Sequence, residues 1–172
     1  EQIDFNNKLI VHCSGSLPLS VLSKYSNKTG VFYPLQTFSK GKKISFKSIP
    51  VFIESNGFQT EKIVLRLAKS LSGTVQVLNS DKRKKLHISA VFACNFVNHF
   101  YAISAEILKH EDISFDVLKP LILETAQKVQ SLDPKCAQTG PAVRFDKNVI
   151  SSHLHDLQNL PDAINHIKWP GF

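Results

Sequence analysis

The sequence predicts two parts of different class: an α/β part over residues 1–80 with a largely parallel sheet, then an all-helical part over residues 81–172. Three observations carry this expectation. Short apolar runs alternate with helical stretches through the first part. Composition then changes abruptly, Asp81-Lys82-Arg83-Lys84-Lys85 being followed by twenty residues, Leu86 to Ala105, without Asp, Glu, Lys or Arg. The charge divides too, with 14 basic against 5 acidic side chains in residues 1–100, a net +9, and 7 against 9 in residues 101–172, a net −2.

The first run, LIVHC at residues 9–13, ends in Ser14-Gly15-Ser16, after which LPLSVLSKY resumes with apolar residues at helical spacing. That pattern reads as strand, tight turn and helix, with Ser16 placed to cap the helix and Pro18 tolerated in its first turn. GVFYPLQTF, IPVFIES and GTVQVLN supply three further strands. Between the last two lies FQTEKIVLRLAKSLSG, where Ile63, Leu67 and Leu71 recur every four residues as an apolar face and Gly73 marks the stop.

The uncharged stretch Leu86 to Ala105 is long enough to cross a membrane. His87, Ser89, Asn95, Asn98, His99 and Ser104 within it are too many polar groups for a lipid-facing helix. It is expected to be buried in protein on nearly all sides, which in so small a domain points to a second subunit. Ser114 caps the next helix, carrying Phe115, Leu118, Ile122, Thr125, Val129 and Leu132 on one face, and Asp133-Pro134 ends it. Asp146 caps the last, with Val149, Ile150, Leu154, Leu157 and Leu160 as its apolar residues and Pro161 beyond its end.

At 172 residues, with 42% hydrophobic residues, 7 Gly and 8 Pro, the chain is neither a disordered tail nor a collagen-like repeat. Cys13, Cys94 and Cys136 are odd in number and form no CxxC pair, which excludes a disulfide framework and suits a reducing cytoplasm. No secretory signal opens the chain; it starts at Glu1 and contains no Met, so its natural beginning is expected upstream. His153 and His155 suggest a metal pair, but on a helix residues two apart diverge by about 200°, so no metal site is expected. Lys40, Lys42, Lys43, Lys47 and the run from Lys82 to Lys85 carry much of the net +7. Aromatics are not interleaved with them and no docking motif accompanies them, so they read as a solvated surface and no nucleic-acid partner is expected.

Chemistry could reside in three places. His12-Cys13-Ser14-Gly15 lies at the carboxyl end of a strand, where open α/β sheets place ligands and a following helix offers N–H groups to an anion. An ordinary turn with an idle histidine is the alternative. On the long helix, His87, Asn95 and Asn98 fall within an arc of roughly 80°, facing either a polar cavity or neighbouring backbone. The loop from Ala137 to Asp146 carries Arg144, which either clamps a carboxylate or phosphate in two-pronged fashion or pairs with Asp146.

Four segments in this order, LIVHCSGSLPLSVL, FYPLQTFS, LHISAVFACNFVNHFYAIS and CAQTGPAVRFDKNVISSHLHDL, resemble the Rossmann-like oxidoreductases that carry a helical C-terminal domain of unknown function. That family is similar to 6-phosphogluconate dehydrogenase, pyrroline-5-carboxylate reductase and the deazaflavin-dependent NADP reductases. The resemblance implies the distal part of a Rossmann-like parallel sheet followed by a helical dimerisation and substrate domain. It further implies an NADP or NAD cofactor, a homodimer paired across the long helix, and a small-molecule substrate. By the same likeness, His12, Ser14 and Gly15 border the nicotinamide. His87 and Asn95 face the cleft as proton donor and carbonyl- or imine-orienting group, and Thr139, Arg144 and Asp146 bind substrate.

The sequence departs from the family pattern in three ways. No GxGxxG exists in it, so the principal cofactor grip is expected upstream of Glu1 and this chain alone is expected to be inactive. Arg144-Phe145-Asp146 stands where the family often has Arg-Gly-Asp, and Tyr33-Pro34 where it usually has His-Pro. The function expected is that of an NAD(P)-dependent oxidoreductase fragment acting on a small carbonyl, imine or alcohol. The alternative is a noncatalytic helical dimerisation or interaction module.

Overall fold

Each apolar run bounded by glycine, proline or serine forms a strand in the computed structural model, which describes residues 5–141 and 143–157. The strands are β1 (Leu9–His12), β2 (Lys28–Pro34), β3 (Val51–Ser55) and β4 (Val75–Val77), side by side in that order. β1 pairs with β2 in parallel and β3 with β4 in parallel, but β2 and β3 are antiparallel, with Tyr33 opposite Phe52. The sheet is therefore mixed, two of its three pairings being parallel as expected and the central one antiparallel. Residues 35–50, between β2 and β3, form no crossover helix, only the short 3-10 turn Phe46–Ser48, so the chain returns beside β2 in the opposite sense.

The central strands β2 and β3 are covered on both faces. One face packs Phe32, Val51 and Ile53 against Val64 and Ala68 of α1 (Phe58–Leu71). The other packs Val31, Tyr33 and Phe52 against Leu19, Leu35, Leu78 and Leu86. The buried face of α1 is Thr60, Val64 and Ala68, while Ile63, Leu67 and Leu71, the series expected to face the core, are exposed. β1 is hydrogen-bonded to β2 on one side only among the described residues, and its Leu9 and Val11 are exposed.

Beyond β1 the expected helix shrinks to the 3-10 turn Leu19–Leu22, preceded by Pro18 rather than by a capping Ser16. So short an element offers no helix N-terminus to an anion. The uncharged stretch belongs to a continuous helix, Ser80–His110, made of α2 (Ser80–Ala90), a π-helical segment (Val91–Phe96) and α3 (Val97–His110). It begins six residues before Leu86, because Asn79 accepts a hydrogen bond from the Lys82 backbone N–H at 2.9 Å as an N-cap. By length and composition alone this helix could cross a membrane. Its first turns lie on the sheet, where Arg83 and Leu86 pack. Within the single chain Arg83 and Ile103 are buried along this helix, whereas Ile88, Phe92 and Phe100 are exposed.

The chain divides into two units, Glu1–Val97 and Asn98–Phe172. In the second, Ser114 accepts from the Asp116 N–H and caps a 3-10 turn, Phe115–Leu118, that leads into α4 (Lys119–Ser131). Asp133 caps the single turn α5 (Pro134–Ala137), and Asp146 accepts from the Val149 N–H to start α6 (Lys147–Leu157). Leu160 and Pro161, expected near the end of that helix, lie outside the described residues.

Candidate functional site

Because β1 and β2 run parallel, with His12 level with Val31, their carboxyl ends open on the same side of the sheet. β1 leads into a tight turn. The Ser14 backbone N–H donates to His12 Nδ1 at 3.2 Å, and Ser14 Oγ accepts from the backbone N–H groups of Ser16 (3.2 Å) and Leu17 (3.1 Å). The turn buries Gly15 against two rings. A Cβ at that position would lie 2.6 Å from His87 Nδ1 and 2.8 Å from Tyr33 Cζ, so no side chain fits while those rings stay in place.

The start of α2 is stapled to this turn by a buried ion pair. Glu54, on the same sheet face as Phe52, accepts from the Ser80 N–H at 3.0 Å and pairs with the Arg83 guanidinium. Arg83 also donates to the Leu17 carbonyl at 2.6 Å, and Ser80 Oγ accepts from the Leu19 N–H at 3.0 Å. Arg83 is 1% exposed, so one member of the lysine-rich run expected to be solvated is instead a core residue. Removing one partner of such a pair typically costs about 3–5 kcal/mol, because the other charge is left buried alone.

One turn beyond Arg83, on the same helix face, His87 meets Tyr33. The Tyr33 hydroxyl lies 3.0 Å from His87 Nδ1, and the two rings stand edge to face with centroids 6.0 Å apart. Burial raises the Tyr33 phenol above its usual pKa of 10.0, while nearby Arg83 pulls in the opposite direction. His12 is held below its usual 6.5, first by burial and then by Arg83; the Pro18 carbonyl and Glu54 oppose this more weakly. Its Nε2 is buried without closing a hydrogen bond to any described residue.

Between the exit of β2 and the long helix lies a groove of about 470 Å³. Tyr33, Leu35, Gln36 and Thr37 form one wall; His87, Ala90, Ala93, Cys94 and Asn95 form the other. The π segment brings Asn95 to it. Two ordinary turns from His87, at about 3.6 residues each, end near residue 94; the wider i→i+5 turn takes up one more residue, so Asn95 comes into line.

The structure thus brings Gly15 into contact with His87, sets His87 and Asn95 on one groove, and buries Nε2 of the half-buried His12 at the end of β1. Asn98 belongs to the second unit. So do Thr139 and Arg144, both exposed, and Asp146, which caps α6. Phe145 takes a left-handed φ of 52°, the conformation that the glycine of an Arg-Gly-Asp pattern adopts freely. Tyr33 and Arg83 were not among the expected site residues. Their signals were available: a tyrosine on a buried strand needs a partner for its hydroxyl, and Glu54 in the apolar run IPVFIES needs a buried cation.

Residues 49–167 match the family described as a domain of unknown function, DUF2520. Among solved structures, a Bacteroides fragilis protein bearing the provisional name NADP oxidoreductase is 49% identical, with a TM-score of 0.84 over 90% of this chain and 60% of that one. A Thermotoga maritima protein is 24% identical, with a TM-score of 0.70 over 88% of this chain and 61% of that one, a likeness of fold. The chain spans about three fifths of the length of these two structures. No curated protein matches it.

Proposed function

Since the chain belongs to the DUF2520 family, we propose that it is part of an NADP-dependent oxidoreductase acting on a small carbonyl, imine or alcohol. The observation that carries this reading is the likeness to the Bacteroides fragilis protein, whose name states an activity. The groove residues fit the nicotinamide end of such a cofactor. Leu35, Ala90 and Ala93 offer an apolar wall to a flat ring, and Gln36 and Thr37 offer polar groups to its carboxamide. They do not fit the pyrophosphate, for which the sequence has no GxGxxG turn. In this reading the principal phosphate grip lies upstream of Glu1.

Bound nicotinamide supplies or accepts a hydride, and the protein supplies position and protons. His12, Ser14 and Gly15 shape the nicotinamide end. His87 hands a proton to the substrate oxygen or nitrogen, and Asn95, whose amide is uncommitted among the described residues, orients the same atom. Thr139, Arg144 and Asp146 are assigned to substrate binding by the family resemblance, Arg144 being suited to a carboxylate or phosphate. The reading extends to a cytoplasmic homodimer joined through the exposed apolar residues of the long helix, among them Ile88 and Phe100.

The test is titration of the complete protein with NADPH and NADH, followed by nicotinamide fluorescence, together with steady-state turnover of His87→Ala. NADPH binding and a loss of roughly 100-fold or more in kcat are expected. Failure to bind either nucleotide overturns the oxidoreductase reading, and undiminished turnover in His87→Ala removes the proton-donor role.

A further inference from the structure

The contact between Tyr33 and His87 has a chemical consequence beyond the oxidoreductase reading. We propose that Tyr33 is the positioning residue of the groove: it holds His87 in the tautomer with its proton on Nε2, so that His87 presents a hydrogen-bond donor to an acceptor atom of the ligand.

The Tyr33 ring is fixed from the sheet side. It enters from β2 opposite Phe52, is 8% exposed, and packs against the Phe52 ring with centroids 6.5 Å apart. A phenol has one proton to donate, and among the described residues the Tyr33 hydroxyl has one hydrogen-bond partner, His87 Nδ1 at 3.0 Å. If Nδ1 carried the proton and donated it instead, the Tyr33 O–H would have no protein acceptor among the described residues, on a side chain that is 8% exposed. Buried donors are seldom left in that state. The raised pKa of the phenol keeps the proton on its oxygen.

With Nδ1 accepting, a neutral imidazole must carry its hydrogen on Nε2. His87 is half-buried and lines the groove, so that N–H has water or a ligand to meet. The ring plane is fixed as well. Tyr33 packs edge to face with it, Gly15 closes against it where any Cβ would collide, and turning the ring over would put a carbon opposite the hydroxyl. The ligand atom received at His87 is therefore an acceptor, a carbonyl oxygen or an imine nitrogen, rather than the N–H of an amine or amide.

The identification of that atom rests on the oxidoreductase reading; the tautomer does not. Long-range ¹H–¹⁵N NMR of the labelled 172-residue chain, at a pH where imidazoles are neutral, reads the tautomer directly. The His87 signal is picked out from the 7 histidines by its loss in His87→Gln. In the wild type, Nε2 is expected to be protonated and Nδ1 bare. Tyr33→Phe keeps the ring and removes the hydroxyl, and the ratio of the two tautomers is expected to change by about two- to tenfold, the worth of one ordinary hydrogen bond. A proton on Nδ1 in the wild type overturns the proposal, as does an unchanged ratio in Tyr33→Phe. If Tyr33→Phe does not fold, the wild-type spectrum is read against the exposed histidines of the same chain, and an Nε2 excess at His87 no greater than theirs overturns the proposal. Failure to bind NADPH with the Nε2 tautomer intact strikes the oxidoreductase reading and leaves the positioning role standing.

Discussion

His12 is a side chain whose charge the fold decides. Its Nδ1 accepts from the Ser14 N–H, so the neutral ring carries its proton on Nε2, and burial followed by Arg83 disfavours the second proton, which would have to displace that hydrogen bond at Nδ1. The folded pKa is below 6.5, so between that lowered value and 6.5 the unfolded chain binds more protons than the folded one, and stability rises with pH. The contribution is complete above pH 6.5 and is lost as pH falls toward the folded value. Thermal unfolding followed from neutral pH down to about pH 5 should show a falling midpoint. In His12→Gln, which cannot titrate, that slope should flatten; an equal slope in both proteins would show that His12 takes no part.

Helix α1 illustrates what periodicity alone conveys. Ile63, Leu67 and Leu71 repeat every four residues, yet the sheet receives Thr60, Val64 and Ala68, a series offset by one. A small residue is what allows close approach to a strand, and Ala68 is fully buried. Ala68→Leu should therefore destabilise by about 1–3 kcal/mol through overpacking, whereas Leu67→Gln, at a position 50% exposed, should stay within about 0.5 kcal/mol. Urea denaturation of the two variants checks this, and the reverse order of cost would restore the leucine face to the core. All four strands, α1 and the caps at Ser114 and Asp146 could be read in the sequence, because each rests on local chemistry: short apolar runs, a glycine near a helix end, a side-chain oxygen before a first turn. The antiparallel return of β3, the buried Arg83 and the Tyr33 to His87 contact could not be read directly. Each is set by a partner distant in sequence, such as Glu54 for Arg83. His87 and Asn95 were legible as a polar stripe, although the π segment that aligns them was not.

At the scale of the whole chain, the sheet is finished through its middle and unfinished at β1. That strand is four residues long, parallel to its one neighbour among the described residues, and shows Leu9 and Val11 to solvent. An edge of this kind has backbone N–H and C=O groups pointing outward beside apolar side chains, with no lysine, proline or bulge within the strand to discourage pairing. Sedimentation velocity of the 172-residue chain should show association that grows with concentration, and Val11→Lys should reduce it without disturbing the groove. Equal association in both proteins would place the contact elsewhere, for instance on the long helix. If the edge is responsible, its chemistry is self-complementary: two copies satisfy each other's open strand, and the solubility of the chain becomes a property of four residues.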